Sequence, residues 1–488
     1  MKNKSVVANM LYKFVLEIFR ILIPVVTLPY VYRIFNPKIM GNIEFSQSIA
    51  NYFFIFAGFG VYVYGVRELS RVRDSEIKRN ELFRDLFLIS TISSILVTII
   101  YLFYVYLKFK YDLLLRNFLI LNSIQILSYV FYLEWVNEAF ENYKFISMKT
   151  LIIKIINFIC IFIFIRYSGD YYKYLFLLNI FIFINNLVSY IYIRQYINLN
   201  FRNIHLLKYM FPLGMIVLIS NVNILYVQLD KLLLGFYATD IVELAYYGIS
   251  HKVSAMLMSV IMSVVTVVVP RLSFYLGKFE IDKFIKEINS VFSSVWLILF
   301  PISVGLAILS KEILLFFSGD KYLNAQNVMI AFSIRLVIIV VLSILVNIVI
   351  FLHKREKIIV VISIICGMIN TLLKYFLIKK GILTALNAIG STMIAELILI
   401  LLAYGYIYKR LKIKIEIFKI NYLKYFLCAC SFFLIKLIYS PKNNYILYSF
   451  IIFCICSSVY LALLLLLKDP KIYELKNILI LKLRRKNE

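Results

Sequence analysis

Acidic residues are scarce in this chain. Its 488 residues hold 26 Asp and Glu against 53 Lys and Arg, and charged residues of both signs make up only 16%. A soluble chain of that length needs a polar shell around its core, and these charges are too few to build one. Histidine is scarcer still: His205, His251 and His353 stand far apart and in no ligand pattern. There is no H-E-x-x-H for a zinc hydrolase, no G-x-x-x-x-G-K-S/T phosphate loop for ATP hydrolysis, and no paired acidic motif in a loop to hold a sugar-nucleotide metal. We therefore expect no catalytic residues, no metal site and no cofactor. The cysteines, Cys160, Cys366, Cys428, Cys430, Cys454 and Cys456, all fall in apolar stretches and lack C-x-x-C spacing, so they read as small apolar helix residues. No uninterrupted polar stretch is long enough for a separate soluble domain. That removes most nucleic-acid readings of the formal net charge of +27, and no nucleic-acid partner is expected.

What the chain has instead is hydrocarbon. Apolar residues make up 62% and aromatics 17%, with a mean hydropathy of +0.88. Tyr and Trp favour the belts where bilayer meets water. A membrane-crossing helix needs about twenty predominantly apolar residues. That ruler finds spans near 11–34, 43–66, 84–107, 117–138, 148–167, 173–193, 209–236, 241–269, 289–317, 325–352, 358–378, 384–408, 422–440 and 445–467. The fold class is thus all-α, a polytopic membrane protein of about fourteen transmembrane helices. The run from Phe14 to Phe35 lacks a small-residue cleavage site and reads as a retained first helix rather than a signal peptide.

Basic residues set the orientation. Segments after even-numbered spans hold Arg67, Arg71, Arg73, Lys78, Arg79 and Arg84, then Lys144 and Lys149, then Arg194, Arg202 and Lys208. Later ones hold Arg271 and Lys278, Lys354 and Arg355, and Lys409, Arg410 and Lys412. Segments after odd-numbered spans carry roughly a third as many, which places both termini in the cytoplasm. The outer loops are short: Asn36–Asn42, Ser168–Tyr172, Ser318–Asn324 and Ser440–Asn444. An enzyme acting on a large external substrate usually needs more than these to hold it.

Polar residues inside the spans are the candidate site. A charge at mid-membrane costs at least a few kcal/mol, so those present should face a cavity or a partner. Glu44, Gln47 and Asn51 share one face of the second span, and Glu17, Arg20 and Pro24 one face of the first. The seventh span carries Asn221, Asn223, Asp230 and Lys231, and elsewhere stand Glu134, Asn157, Asn179, Asn186, Arg335, Asn370, Lys374, Glu396 and Lys436. Taken singly, the asparagines read equally well as links between helices, and Lys374 and Lys436 as side chains reaching an interface. Spread over many spans with both signs present, the set reads as a hydrated cavity. The cluster Gly58, Gly60 and Gly65 misses dinucleotide-loop spacing and reads as close helix packing. A weak internal echo links the first two spans, with Pro24, Pro29, Gly41 and Arg67, to the seventh and eighth, with Pro212, Ala245 and Arg271.

The stretch Leu28-Pro29-Tyr30-Val31-Tyr32-Arg33, then Gly41, then Phe45-Ser46-Gln47-Ser48-Ile49-Ala50-Asn51-Tyr52-Phe53, then Tyr64-Gly65-Val66-Arg67-Glu68-Leu69 resembles the start of bacterial polysaccharide flippases of the Wzx type. These belong to a superfamily that also holds multidrug and toxin exporters and the lipid II flippase. Trp135 through Tyr143, Leu229-Asp230-Lys231, Leu234-Gly235, Tyr246-Tyr247, Pro270-Arg271 and Phe300-Pro301 carry the resemblance along nearly the whole chain, with departures at Phe35-Asn36 and Ala245. The resemblance implies a six-helix lobe over 1–200, a second over 201–410, and two further helices with a basic tail over 411–488. It implies an undecaprenyl-diphosphate-linked oligosaccharide as substrate, flipped across the bacterial cytoplasmic membrane for surface polysaccharide such as O-antigen. A proton or sodium gradient, and glycan polymerase and chain-length proteins, are the implied partners. Arg20, Arg33, Arg335 and Lys374 are the cations for a diphosphate, and Gln47, Asn51 and Asn223 the amides for sugar hydroxyls. Asp230, Glu44 and Glu396 are the coupling candidates. Two alternatives stand beside this reading: a cation-coupled exporter of small molecules from the same superfamily, and a membrane enzyme that polymerises or ligates the same glycans.

Overall fold

The structure, a computed structural model, describes residues 6–196, 204–438 and 445–473, apart from some side chains within helices, Glu17, Arg20 and 218–227 among them. The expected loop Ser440–Asn444 and the basic tail beyond Tyr473 lie outside the described residues, as do the side chains of Arg20, Asn221 and Asn223. Helices take up almost all of the rest: α1 Val6–Ile34, α2 Pro37–Ala57, α3 Val61–Arg71, α4 Glu76–Lys108, α5 Leu113–Leu127, α6 Glu134–Ala139, α7 Tyr143–Phe164, α8 Tyr171–Arg194 and α9 Leu207–Tyr237. Then come α10 Val242–Thr266, α11 Val269–Gly277, α12 Ile281–Ile308, α13 Ser310–Ser318, α14 Gln326–Ile344, α15 Glu356–Lys379, α16 Ala385–Tyr406, α17 Leu423–Ile438 and α18 Tyr445–Leu466. Among the described residues, 11 helical stretches are long and apolar enough to cross a membrane. Shorter apolar stretches, Leu22–Ile34, Leu207–Val217 and Ile451–Leu466, fall where the first, seventh and last spans were expected. In lipid only a helix satisfies its own backbone, which is why so apolar a chain becomes helix almost throughout.

The ends of the spans are closed by two different devices. At the start of the second, fourth and twelfth spans a polar side chain caps the first turn. Asn36 accepts from the Ile39 amide at 2.8 Å, Asp112 from Leu115 at 3.0 Å and Thr384 from Asn387 at 3.3 Å. After the fourth, eighth, tenth, twelfth and fourteenth spans a residue in the left-handed region turns the chain: Glu141, Phe279, Lys354, Lys412 and Lys468, with φ of 54°, 58°, 57°, 56° and 52°.

Several spans are broken. The second stops at Gly58 and restarts as α3, with Phe59 and Gly60 at φ 41° and 73°. The fourth is interrupted by a 3-10 turn, Ser128–Phe131. The two breaks meet. A Cβ on Gly58 would lie 2.5 Å from the Tyr129 ring, and one on Gly65 would lie 2.4 Å from Trp135. The expected close packing at Gly58, Gly60 and Gly65 is therefore present, since a Cβ on Gly60 would lie 2.8 Å from the Leu213 carbonyl oxygen, and Gly60 supplies a turn as well. The eighth span breaks likewise between α10 and α11, and the tenth passes into a π-helical turn, Leu345–Ile350.

The chain divides into two compact units, Met1–Ala245 and Tyr246–Glu488. In the first, α2 packs against α4, α5 and α9, and α1 and α8 against α7. In the second, α14 and α15 pack on α16, and α12 packs on α14 and α17. The tenth span, Asp320–Ile350, is 78% buried over its most apolar window, and no other candidate span exceeds 44%. It is the core of its unit, and it carries Arg335.

Candidate functional site

In the first unit α2 approaches α9 and the turn after it closely because a glycine stands at each contact. A Cβ on Gly235 would stand 2.0 Å from the Phe45 ring, and one on Gly41 would stand 2.2 Å from the Ile241 carbonyl oxygen. That approach brings Lys231 of α9 to Glu44 of α2, Nζ to Oε2, at 2.6 Å. The Glu44 side chain is 1% exposed and that of Lys231 12%. Asp230, fully buried, lies within electrostatic range of Tyr52 of α2. Gln47 and Asn51 follow on α2, both half-buried, and Arg33 is exposed at the end of α1. Thus Glu44 and Lys231, two of the polar residues expected to face a cavity, are joined into one pair.

A second buried network joins α6, α7 and α8. Lys149 donates to Glu134 Oε2 at 2.9 Å, to Ser189 Oγ at 2.6 Å and to the Asn185 carbonyl at 3.3 Å, while Ser189 donates to the same Glu134 oxygen at 2.7 Å. The sequence placed Lys149 and Arg84 in cytoplasmic segments. Both are instead buried within helices, Arg84 beside Asp85 at 2.8 Å. Nearby, Asn122 donates to Ser46 at 3.0 Å and Asn179 to Asn122 at 2.9 Å, and Asn186 donates to Ser128 Oγ at 3.0 Å. Asn179 and Asn186 are therefore helix-linking residues. Asn122 and Ser46 escaped sequence reasoning because a small amide or hydroxyl in an apolar run carries no charge to flag it.

In the second unit α16 is the hub. Glu396 receives Arg335 of α14 in a two-pronged bond, from Nε at 3.0 Å and from Nη2 at 2.5 Å. One turn back, Thr392 accepts from Lys374 of α15 at 2.9 Å, and Lys374 also donates to Asn370. Lys374 is completely buried, so it does not reach an interface as a lone lysine in a span commonly does. Lys436 likewise turns inward, to the Ile308 carbonyl and to Glu312 at 3.0 Å. Arg335 also lies 5.8 Å from the centre of the Phe332 ring, which packs on Tyr247 and His251. Among the described residues no cluster of three metal-ligating side chains occurs.

Residues 6–276 match the family described as polysaccharide biosynthesis protein. The chain belongs to that family. Among curated relatives, an O-antigen transporter by name, from Shigella dysenteriae, is 24% identical over 273 residues, covering 54% of this chain and 67% of its own. Among solved structures, the lipid II flippase MurJ in an inward closed conformation superposes with a TM-score of 0.71 at 17% identity, over 95% of this chain and 99% of that one. An inward-facing multidrug resistance transporter of the MATE family gives 0.61 at 10% identity, over 82% of this chain and 99% of that one. At such identities the likeness is one of fold. This member of the polysaccharide biosynthesis proteins therefore shares its helix arrangement with membrane transporters, and it buries ion pairs in both of its units.

Proposed function

We propose that the chain is a flippase that carries undecaprenyl-diphosphate-linked oligosaccharide repeat units across the bacterial cytoplasmic membrane for surface polysaccharide, with both termini in the cytoplasm. The family match over residues 6–276 carries this reading, and the physics of the substrate supports it. A glycan cannot cross hydrocarbon unaided, whereas its lipid can stay in the bilayer throughout. The work is translocation, with no chemistry on the glycan. Gln47 and Asn51, half-buried on α2, meet sugar hydroxyls, and Arg33 meets the diphosphate. Arg335 and Lys374 take the diphosphate only by exchanging Glu396 and Thr392 for it. That exchange gives coupling a physical form: a proton or sodium ion on Glu396, or on Glu44 beside Lys231, releases the cation to the substrate. The lobes 1–200 and 201–410, with two added helices, remain our proposed division.

The deciding experiment is flipping of a fluorescent lipid-linked oligosaccharide in vesicles of purified protein. Movement between leaflets, with accumulation of lipid-linked repeat units on the cytoplasmic face in a deletion strain, is the expected result. Longer glycan chains made by these vesicles would show a polymerase. Gradient-driven export of small cations without lipid flipping would show a drug exporter.

A further inference from the structure

A groove of about 680 Å³ opens on the first unit where α5, α7 and α8 meet at one end. Leu121 of α5, Phe164 at the last residue of α7 and Phe176 of α8 form its wall, and Asn117, Tyr172 and Lys173 its edge. The edge residues lie within the opening turns of α5 and α8, and Leu121 and Phe176 about one turn deeper. In a helix that crosses a bilayer, that order runs from the water interface into hydrocarbon. An apolar cleft opening beside such spans fills with lipid chain rather than water.

The edge selects by charge. Between Lys108 and Lys173 the turns at this end carry Lys108, Lys110, Arg116, Arg166 and Lys173 against Asp112 and Asp170. Both carboxylates are engaged by backbone: Asp112 accepts from Leu115 at 3.0 Å, and Asp170 from Arg166 at 3.0 Å and Tyr167 at 2.9 Å. Lys173 also reaches Asp170, at 2.7 Å, but its side chain stays 63% exposed. Asn117 donates to Tyr172 at 3.4 Å, a long bond that leaves its amide free to turn to a ligand. Among the described residues lining the groove, Lys173 is the one cation, which suits the single negative charge of a phosphodiester better than a diphosphate.

We propose that this groove binds an anionic phospholipid, one acyl chain between α5 and α8 and the phosphodiester at Lys173 and Asn117. The site is independent of the flippase reading, because lipid retention is measured without any flipping. Native mass spectrometry of the purified chain from micelles holding equal phosphatidylglycerol and phosphatidylethanolamine, and separately undecaprenyl phosphate, is the test. One phosphatidylglycerol retained per chain above background is expected. Lys173→Gln should weaken it about fivefold, the effect of one interfacial cation. Leu121→Trp, which fills the wall, should abolish retention whatever the headgroup. Thermal unfolding in lipid-free detergent checks that each variant folds, and exposed Lys173 decides the matter if the tryptophan does not pack. Equal retention of both phospholipids, indifference to Lys173→Gln, or retention of undecaprenyl phosphate alone would overturn the proposal.

Discussion

At the scale of the residue, the buried ions come in partnerships, and each partnership makes its own prediction. Arg335→Ala leaves Glu396 charged and uncompensated in the core of the second unit. Breaking a buried pair in this way costs about 3–5 kcal/mol, whereas replacing both partners by apolar residues of similar volume is often neutral. Arg335→Met alone should therefore lower the amount of folded protein, and Arg335→Met with Glu396→Leu should restore it. Thermal unfolding in detergent measures both. The restored double variant also separates structure from transport: if it folds but no longer flips, the pair serves the substrate or its coupling ion. In the first unit, a wild-type rate of gradient-driven flipping in Asp230→Asn would remove Asp230 as a proton carrier and leave Glu44 and Glu396. Gly235 makes a simpler case. With Phe45 2.0 Å from where a Cβ would lie, Gly235→Ala must move an aromatic ring, at a cost of about 1–3 kcal/mol.

At the scale of the element, the same helix-end devices recur along the chain. Lys354, Lys412 and Lys468 hold left-handed conformations in which a Cβ is strained. Lys412→Gly should stabilise the turn by up to about 1 kcal/mol, read as a higher unfolding temperature. The turn between α7 and α8 is held by Asp170, whose carboxyl is drawn down to about 2 by the hydrogen bond from Lys173 and by the Arg166 and Tyr167 amides. A depressed folded value means a stabilisation present in full above the ordinary carboxylate range and lost as pH falls through about 2. Proteolysis of this turn should therefore be faster in Asp170→Asn, and by the same ratio at pH 5 and pH 8. The broken spans form a second pattern. Breaks fall in the second and eighth spans and in the fourth and tenth, pairings that the echo between Pro-bearing first and seventh spans anticipates, whereas the π-helical turn that ends the twelfth, Ile407–Leu411, has no counterpart among the described residues of the sixth. Discontinuous helices at corresponding places in two halves are a common signature of transporters.

At the scale of the whole molecule, orientation is the property to measure. Cysteine labelling from outside intact cells should reach Ser318–Asn324 and miss Arg67–Arg84 and Lys409–Lys419, and labelling of those basic segments would reverse the topology. The sequence by itself determined the class, the spans and their order, because hydrocarbon solubility adds up residue by residue within a window of about twenty. Gly41, Gly65 and Gly235 were visible as small residues, but not which ring or carbonyl each would meet. Only the tertiary structure decided that Glu44 belongs to Lys231, Arg335 to Glu396 and Lys149 to Glu134, and that Lys149 and Arg84 lie inside helices rather than in loops. The reason is physical. A membrane helix is apolar on nearly every face, so periodicity does not say which side meets a neighbour. A buried charge must have a partner, yet which partner depends on helices such as α14 and α16 being brought together, 61 residues apart for Arg335 and Glu396.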